Sequence, residues 1–219
     1  MRTVKGGEVR VIIIISGTAV VIDMELYTGK EYFLSHGSPT GLTMQDFWQF
    51  QYSNVYDMQE YIAEFLVAKA LGMEKPFNRD GWTLWDIDYR GKRIEVKETG
   101  YFHSWRKDGK VSDQRTFGIS QAYSVDESGE RVKDKSGNDI KERQNDYYVF
   151  CLNIGRDKEG SNPLELSHWE FYVVPTKILN EVCGNNQSIN LNRVRSLAKS
   201  IAFEDIKTTL DTLINSEQA

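Results

Sequence analysis

The chain has 219 residues, 40% of them hydrophobic and 27% charged, with 4 Pro and a net charge of −5. That is enough to bury a full core in one large α+β domain, or in a domain with an extension. Two widely separated cysteines, Cys151 and Cys183, no CxxC and three His argue against a structural zinc site and favour a reducing, cytosolic setting over secretion. The acidic balance argues against a protein that coats nucleic acid.

The longest apolar run, residues 11–22 in "VRVIIIISGTAVVID", is interrupted by Ser16, Gly17 and Thr18. It is too short to span a bilayer, rich in β-branched residues, and not followed by a small-residue cleavage site. It reads as one or two buried strands, as a hairpin turning at Gly17, or as an extension that packs on a partner chain. In "LTMQDFWQFQ", Thr43 is the expected N-cap with Asp46 three residues on, a capping box for a short helix. "YDMQEYIAEFLVAKALG" is the clearest helix, with Asp57 as N-cap, an apolar stripe through Ile62, Phe65, Leu66 and Lys69/Ala70, and Gly72 as its stop. Residues 76–81 are a loop leading into "WDIDYRGKRIEVKET". Beyond it lie an aromatic and basic loop, "YFHSWRKDGK", and a strand, "RTFGIS". Residues 124–146 are almost wholly polar, a mobile loop or an exposed hairpin turning at Ser136-Gly137. "YYVFCLNI" and "HWEFYVVP" read as strands buried in a central sheet, the second ended by Pro175. "KILNEVCG", "NLNRVRSLAKSI" and "FEDIKTTLDTLI" read as helices, the last with Ile206, Leu210, Leu213 and Ile214 on one stripe. This order predicts an α+β fold with a mixed sheet, residues 1–42 forming a β-rich extension and 43–219 the main domain.

The hairpin carries the chemistry. With Arg90-Gly91 as a two-residue turn, Gly91 suits the second position of type I′ but Arg90 does not suit the first. Asp86 then opposes Glu95, Ile87 opposes Ile94, and Trp85 opposes Val96. One face holds Trp85, Ile87, Tyr89, Ile94 and Val96. The other holds Asp86, Asp88, Arg93, Glu95 and Lys97. Opposed Cβ atoms lie roughly 4.5–5.5 Å apart, so Asp86 and Glu95 can share one cation, and their mutual repulsion favours one. A hard ion such as Mg²⁺ takes such oxygen ligands. Lys97, on the same face, would orient a water or offset phosphoryl charge. The competing reading is a solvated strand face whose acids are neutralised by Lys97 and Arg93. Residues 90–115 carry eight basic and four acidic side chains, a basic island in an acidic chain. Within it Tyr101, Phe102 and Trp105 could stack on bases, or sit in a satellite core. Glu60 and Glu64, one helical turn apart, more often mark a solvated face.

"WDIDYRGKRIEVK" resembles the Asp…Glu-x-Lys core of the PD-(D/E)XK nucleases, the restriction-endonuclease-like superfamily. "IAEFLVAKALG" resembles the first helix of bacterial members, whose Glu faces the metal site and matches Glu64. The resemblance covers roughly residues 43–197. No Pro precedes either Asp, and Asp86 and Asp88 compete for the aspartate position. Asp86 is preferred because it opposes Glu95. The resemblance implies a mixed central sheet flanked by helices, with Mg²⁺ (or Mn²⁺) held by Asp86, Glu95 and the Val96 carbonyl, and Glu64 close by. Lys97 would position or deprotonate the attacking water, leaving a 5′-phosphate. Arg93, Tyr101, Trp105, Arg106 and Lys107 would contact nucleic acid, most simply DNA, in a restriction, repair or phage-defence role in the cytoplasm. A homodimer is compatible with it. The alternative is a nuclease-like module that binds nucleic acid or protein without cleaving.

Overall fold

In the computed structural model the described residues are 8–15, 18–25, 27–73, 85–102, 113–126 and 130–218, with backbone alone at 8–15, 18–25 and 218. The chain forms two compact units, residues 1–55 with 125–132, and residues 56–124 with 133–219.

In the first unit, β1 (Glu8–Ile15) and β2 (Thr18–Glu25) form an antiparallel hairpin running from Glu8↔Glu25 to Ile15↔Thr18. A second small hairpin pairs β3 (Tyr32–Ser35) with β4 (Ser38–Thr43). α1 (Met44–Gln51) follows directly, and the expected capping box is present: Thr43 Oγ1 accepts from the Asp46 N–H while the Asp46 carboxylate accepts from the Thr43 N–H. The two orphan donors at the helix start are thereby satisfied.

In the second unit, α2 (Gln59–Ala70) begins after a 3₁₀ turn, Val55–Asp57. Its N-cap is Met58, which has no side-chain bond, rather than the expected Asp57. The buried stripe is Ala63, Leu66 and Val67 with partly buried Ala70, while Phe65 is exposed under the Lys69 ammonium. The 3, 4, 7 spacing was correct but rotated onto the alanines, which let the helix approach the sheet closely. Gly72, at φ +78°, ends the helix in the left-handed region that favours glycine.

The central sheet runs β11 (Trp169–Pro175), β10 (Tyr147–Asn153), β6 (Lys92–Gly100), β5 (Ile87–Tyr89). β5–β6 and β10–β11 are antiparallel, and β6–β10 is parallel, from Tyr147↔Ile94 to Asn153↔Gly100. The sheet is mixed, as expected. Alternation along β6, β10 and β11 makes two cores. Ile94, Val96, Val149, Cys151, Phe171 and Val173 pack with α2 and α5 (Ile206–Gln218), whose stripe is Ile206, Leu210 and Ile214 with Leu213 at its edge. Phe150, Leu152, Tyr172 and Val174 pack on the other side with α3 (Thr176–Cys183), α4 (Leu191–Leu197) and a small sheet of β7 (Thr116–Gly118) and β12 (Ser188–Asn190).

Within the polar stretch, β8 (Ala122–Tyr123) pairs with β9 (Lys141–Glu142), and the chain turns at residues 134–138, where the Gly137 N–H donates to the Asp134 carbonyl. It is a hairpin, the second of the two alternatives. Its return strand β9 is exposed, but the residue that follows it is not. Arg143 is buried and donates to the carbonyls of Ile119, Gly184 and Asn186 and to Asn180 Oδ1, at 2.6–3.0 Å.

Candidate functional site

The turn falls where the sequence places it. Tyr89↔Lys92, Asp88↔Arg93 and Ile87↔Ile94 are paired, and Arg90 and Gly91 adopt φ of +52° and +73°. Arg90 is the unfavourable residue, and a non-glycine residue there costs about 1 kcal/mol or more. Its guanidinium compensates by reaching α5, with Nη1 at 2.7 Å from Asp211 Oδ1 and Nη2 at 3.1 Å from Asn215 Oδ1.

Beyond Ile87 the expected register stops. The pairs Asp86–Glu95 and Trp85–Val96 are not in the ladder. The Asp86 N–H donates to the Ile94 carbonyl at 3.0 Å, and Asp86 Oδ2 accepts the Val96 N–H at 2.7 Å. A side chain has replaced the strand, as short polar residues do when they compete for backbone donors. Trp85 leaves the predicted apolar face: its Nε1 donates to Asp88 Oδ1 at 3.0 Å and the Arg93 guanidinium lies 4.9 Å from its ring centroid. Ile87, Ile94 and Val96 remain in the core, as expected.

The split leaves the far half of β6 with β10 on one side and Asp86 at its other edge. Glu95 and Lys97 lie on the face shared with Tyr148 and Phe150, and their charged groups meet at 2.5 Å. Burial raises the Glu95 pKa, the Asp86 charge raises it further, Lys97 opposes, and Glu60 adds to the rise. For Lys97, burial pulls the pKa down, but Glu95, Asp86 and Glu60 outweigh it and hold it above the ordinary value. The ammonium is therefore firmly protonated. Asp86, Glu95 and Lys97 are thus brought together, with Glu60 in electrostatic reach.

Glu64 is buried on α2 beside Ala63 and Val67, while the charge of the exposed Glu60, one turn earlier, reaches Glu95, Lys97 and Glu98. The solvated-face reading of this pair holds for Glu60 and fails for Glu64.

Three more residues belong to this end of the strand and carried no expectation. Glu98 follows Lys97 but points to the opposite face, toward α2, by the period of two. Its pKa is pushed up to about 7, chiefly by burial, with Glu60 adding and Arg115 opposing. Glu98 Oε1 and Gln59 Nε2 are buried without hydrogen-bond partners among the described atoms. Gly100 explains how α2 comes so near: a Cβ there would lie 2.9 Å from Gln59 Oε1 and 3.4 Å from Asn153 Cβ. The glycine after "EVKET" was the legible signal, since a strand glycine often marks a close approach.

Of the residues expected to touch nucleic acid, Trp105, Arg106 and Lys107 lie outside the described residues, as do the 76–81 loop and His103. Tyr101 is a core residue, with the guanidinium carbons of Arg156 and Arg115 at 4.5 and 5.3 Å from its ring centroid. That is the satellite-core alternative, not an open stacking platform. Arg93 is half exposed but occupied by Trp85, by the Gln144 carbonyl at 3.0 Å, and by Asp146 at 4.0 Å.

Among the described residues no three acid, His or Cys side chains converge closely enough to hold a metal ion, and no helix is long and apolar enough to cross a membrane. No protein-family model, no curated protein and no solved structure matches the chain.

Proposed function

We propose that the split end of the β5–β6 hairpin is the active site of a metal-dependent nuclease, built on the restriction-endonuclease-like arrangement that "WDIDYRGKRIEVK" resembles. The observation that carries this reading is the partly buried Glu95 carboxylate, which lies beside Asp86 and in contact with Lys97 and is made harder to ionise by burial and by the Asp86 and Glu60 charges. Within the cluster the carboxylates outnumber the one cation, Lys97, and the donors at hand are hard oxygens. Mg²⁺ commonly takes one or two protein carboxylates and completes its shell with water and substrate phosphate, so a two-carboxylate set fits. Asp86 and Glu95 would hold the ion, with the carbonyl of Val96, the residue after Glu95, as a further oxygen. A bound Mg²⁺ or Mn²⁺ supplies Lewis-acid stabilisation of phosphoryl charge.

The chain's own part follows from Lys97. An ammonium held above its ordinary pKa is a poor base, so of the two roles expected for it, positioning is supported over deprotonation. It donates to the attacking water and to a phosphoryl oxygen that gains charge in the transition state. Water attacks phosphorus, the bond to the 3′ oxygen breaks, and the products are a 5′-phosphate and a 3′-hydroxyl. DNA is the substrate the resemblance favours.

A second reading, a nuclease-like module that binds without cleaving, has its own support. The Asp86 carboxylate already accepts the Val96 N–H, Glu95 is already paired with Lys97, and Tyr101 is buried. The test is a Mg²⁺ or Mn²⁺ cleavage assay on duplex, single-stranded and branched DNA. Metal-dependent products with a 5′-phosphate, lost in Glu95→Gln, support the nuclease. Retention of DNA in a binding assay with no product under any metal supports the silent module.

A further inference from the structure

β6 and β10 run parallel and end side by side, at Gly100 and Asn153. Carboxyl ends of parallel strands are where open sheets place ligands. The chain leaving β10 there, residues 155–161, is a loop locked shut by its own backbone. A Cβ on Gly155 would lie 2.1 Å from the carbonyl carbon and oxygen of Gly160, so only glycine fits. Asp157 accepts the Gly160 N–H at 2.8 Å, Asn153 Nδ2 donates to the Ser161 carbonyl at 3.1 Å, and the Gly155 N–H donates to Asn153 Oδ1 at 3.2 Å. Tyr56, in the turn before α2, donates its hydroxyl to the Lys158 carbonyl at 2.9 Å.

Arg156 projects from this fixed base. Its guanidinium carbon lies 4.5 Å from the centroid of the Tyr101 ring, and the Tyr101 N–H is itself tied to the Asn153 carbonyl at 3.3 Å. Stacking on an aromatic face orients the planar fork in advance of any ligand. The buried Arg115 guanidinium stands 5.3 Å from the same ring. Two guanidiniums at one ring repel unless anions answer them. Arg115 lies in electrostatic reach of Glu98. Arg156, with 56% of its side chain exposed, meets Asp113, exposed at 78%, at 2.7 Å. That is its one ion pair among the described residues, and an exposed pair of this kind is weak.

Tyr101 follows Lys97 by four residues on the side of the sheet that holds Phe150 and Leu152, about 13 Å along an extended chain. At about 3.4 Å per step along one strand of duplex, that is about four nucleotides. An exposed, oriented guanidinium held by a replaceable carboxylate suits a phosphate at that distance, whose oxygens it matches two at a time.

We propose that Arg156 binds a backbone phosphate of DNA lying along β6, exchanging Asp113 for it. This rests on the nuclease reading for its substrate class.

The experiment is fluorescence anisotropy of a labelled DNA duplex over a salt series, in EDTA and in Ca²⁺, beside Mg²⁺-dependent cleavage. Arg156→Gln should weaken binding roughly tenfold and flatten the slope of log K against log salt by about 0.9. In cleavage it should raise KM with kcat unchanged. Asp113→Asn should tighten binding about threefold, and the gain should vanish in the Arg156→Gln background. Arg193→Gln, at an exposed arginine of α4, should change nothing. Far-UV circular dichroism should be the same for all, since each altered side chain is exposed. An Arg156→Gln chain with wild-type affinity and salt slope overturns the proposal and leaves the nuclease reading standing if DNA is still cleaved. An equal loss toward polyglutamate overturns it too, because the cation then serves an acidic protein. The expected binding changes in a chain that cleaves nothing uphold the proposal and remove the nuclease. A wild type that neither binds nor cleaves DNA removes both.

Discussion

Two places in the second unit withdraw charged side chains from water, wholly at Arg143 and in part along β6, and they treat them in opposite ways. Arg143 sits among neutral acceptors on two segments, with Ile119, Asn180, Gly184 and Asn186 each taking one of its N–H groups. The far end of β6 gathers Asp86, Glu95 and Glu98 with Glu60 nearby. There Glu95 and Glu98 are hard to ionise, and Glu98 Oε1 and Gln59 Nε2 have no hydrogen-bond partner among the described atoms. A buried charge kept for architecture is saturated with bonds, because each missing bond costs about 1–3 kcal/mol. A cluster that tolerates that cost and concentrates one sign of charge is a candidate for chemistry. The comparison thus separates a structural cation, each of its nitrogens matched to an acceptor, from a set of acids that outnumbers its one cation, Lys97.

The largest expected effect breaks the comparison at its chemical end. Lys97→Ala should lower metal-dependent cleavage by roughly 10³-fold, which corresponds to about 4 kcal/mol of transition-state stabilisation. DNA affinity should be nearly unchanged, because the interaction is made in the transition state. Single-turnover cleavage beside a filter-binding isotherm checks both. Cleavage at the wild-type rate removes Lys97 from the mechanism.

Next, at the structural end, Arg143→Met should cost about 3–5 kcal/mol by urea unfolding, since it strands several acceptors at once. A cost under about 1 kcal/mol would place Arg143 with ordinary surface cations.

Glu98 sharpens the contrast through pH. The folded state holds its proton up to about pH 7, whereas an ordinary Glu releases it near 4.5. The folded chain binds the extra proton within that window, so this group's contribution is fully present below about pH 4.5 and is lost as pH rises to 7. The loss is at most of order 3 kcal/mol. Glu98→Gln should therefore be more stable than wild type at pH 8, with the difference vanishing at pH 4.5. A difference that does not change with pH would show that Glu98 ionises normally.

How much of this was legible in the sequence depends on which bonds set each feature. The Arg90-Gly91 turn, the Thr43–Asp46 capping box and the strands of β10 and β11 follow from local rules of period and turn chemistry, and all are present. The Asp86–Glu95 register was not legible, because a side-chain bond from Asp86 to the Val96 N–H displaced the backbone pairing that period alone predicts. The α2 stripe was misplaced by weighting Phe65 over Ala63. Arg143 was hidden in a polar run, because its partners come from segments 24–43 residues away. Glu98 carried no expectation, because its environment is set by α2 lying close over Gly100.

The smallest perturbations give the most direct test of the central claim, that Asp86 and Glu95 form a cation site: thermal melting of three chains with and without saturating Mg²⁺. Asn retains the oxygen that accepts the Val96 N–H, so Asp86→Asn removes charge and leaves the cap. Asp88→Asn alters a Trp85 contact worth roughly 0.2–1 kcal/mol. At tenfold excess over Kd, Mg²⁺ should stabilise the wild type and Asp88→Asn by about 1.4 kcal/mol, and Asp86→Asn hardly at all. A wild type indifferent to metal, or an Asp86→Asn chain that responds fully beside a silent Asp88→Asn, would contradict the account.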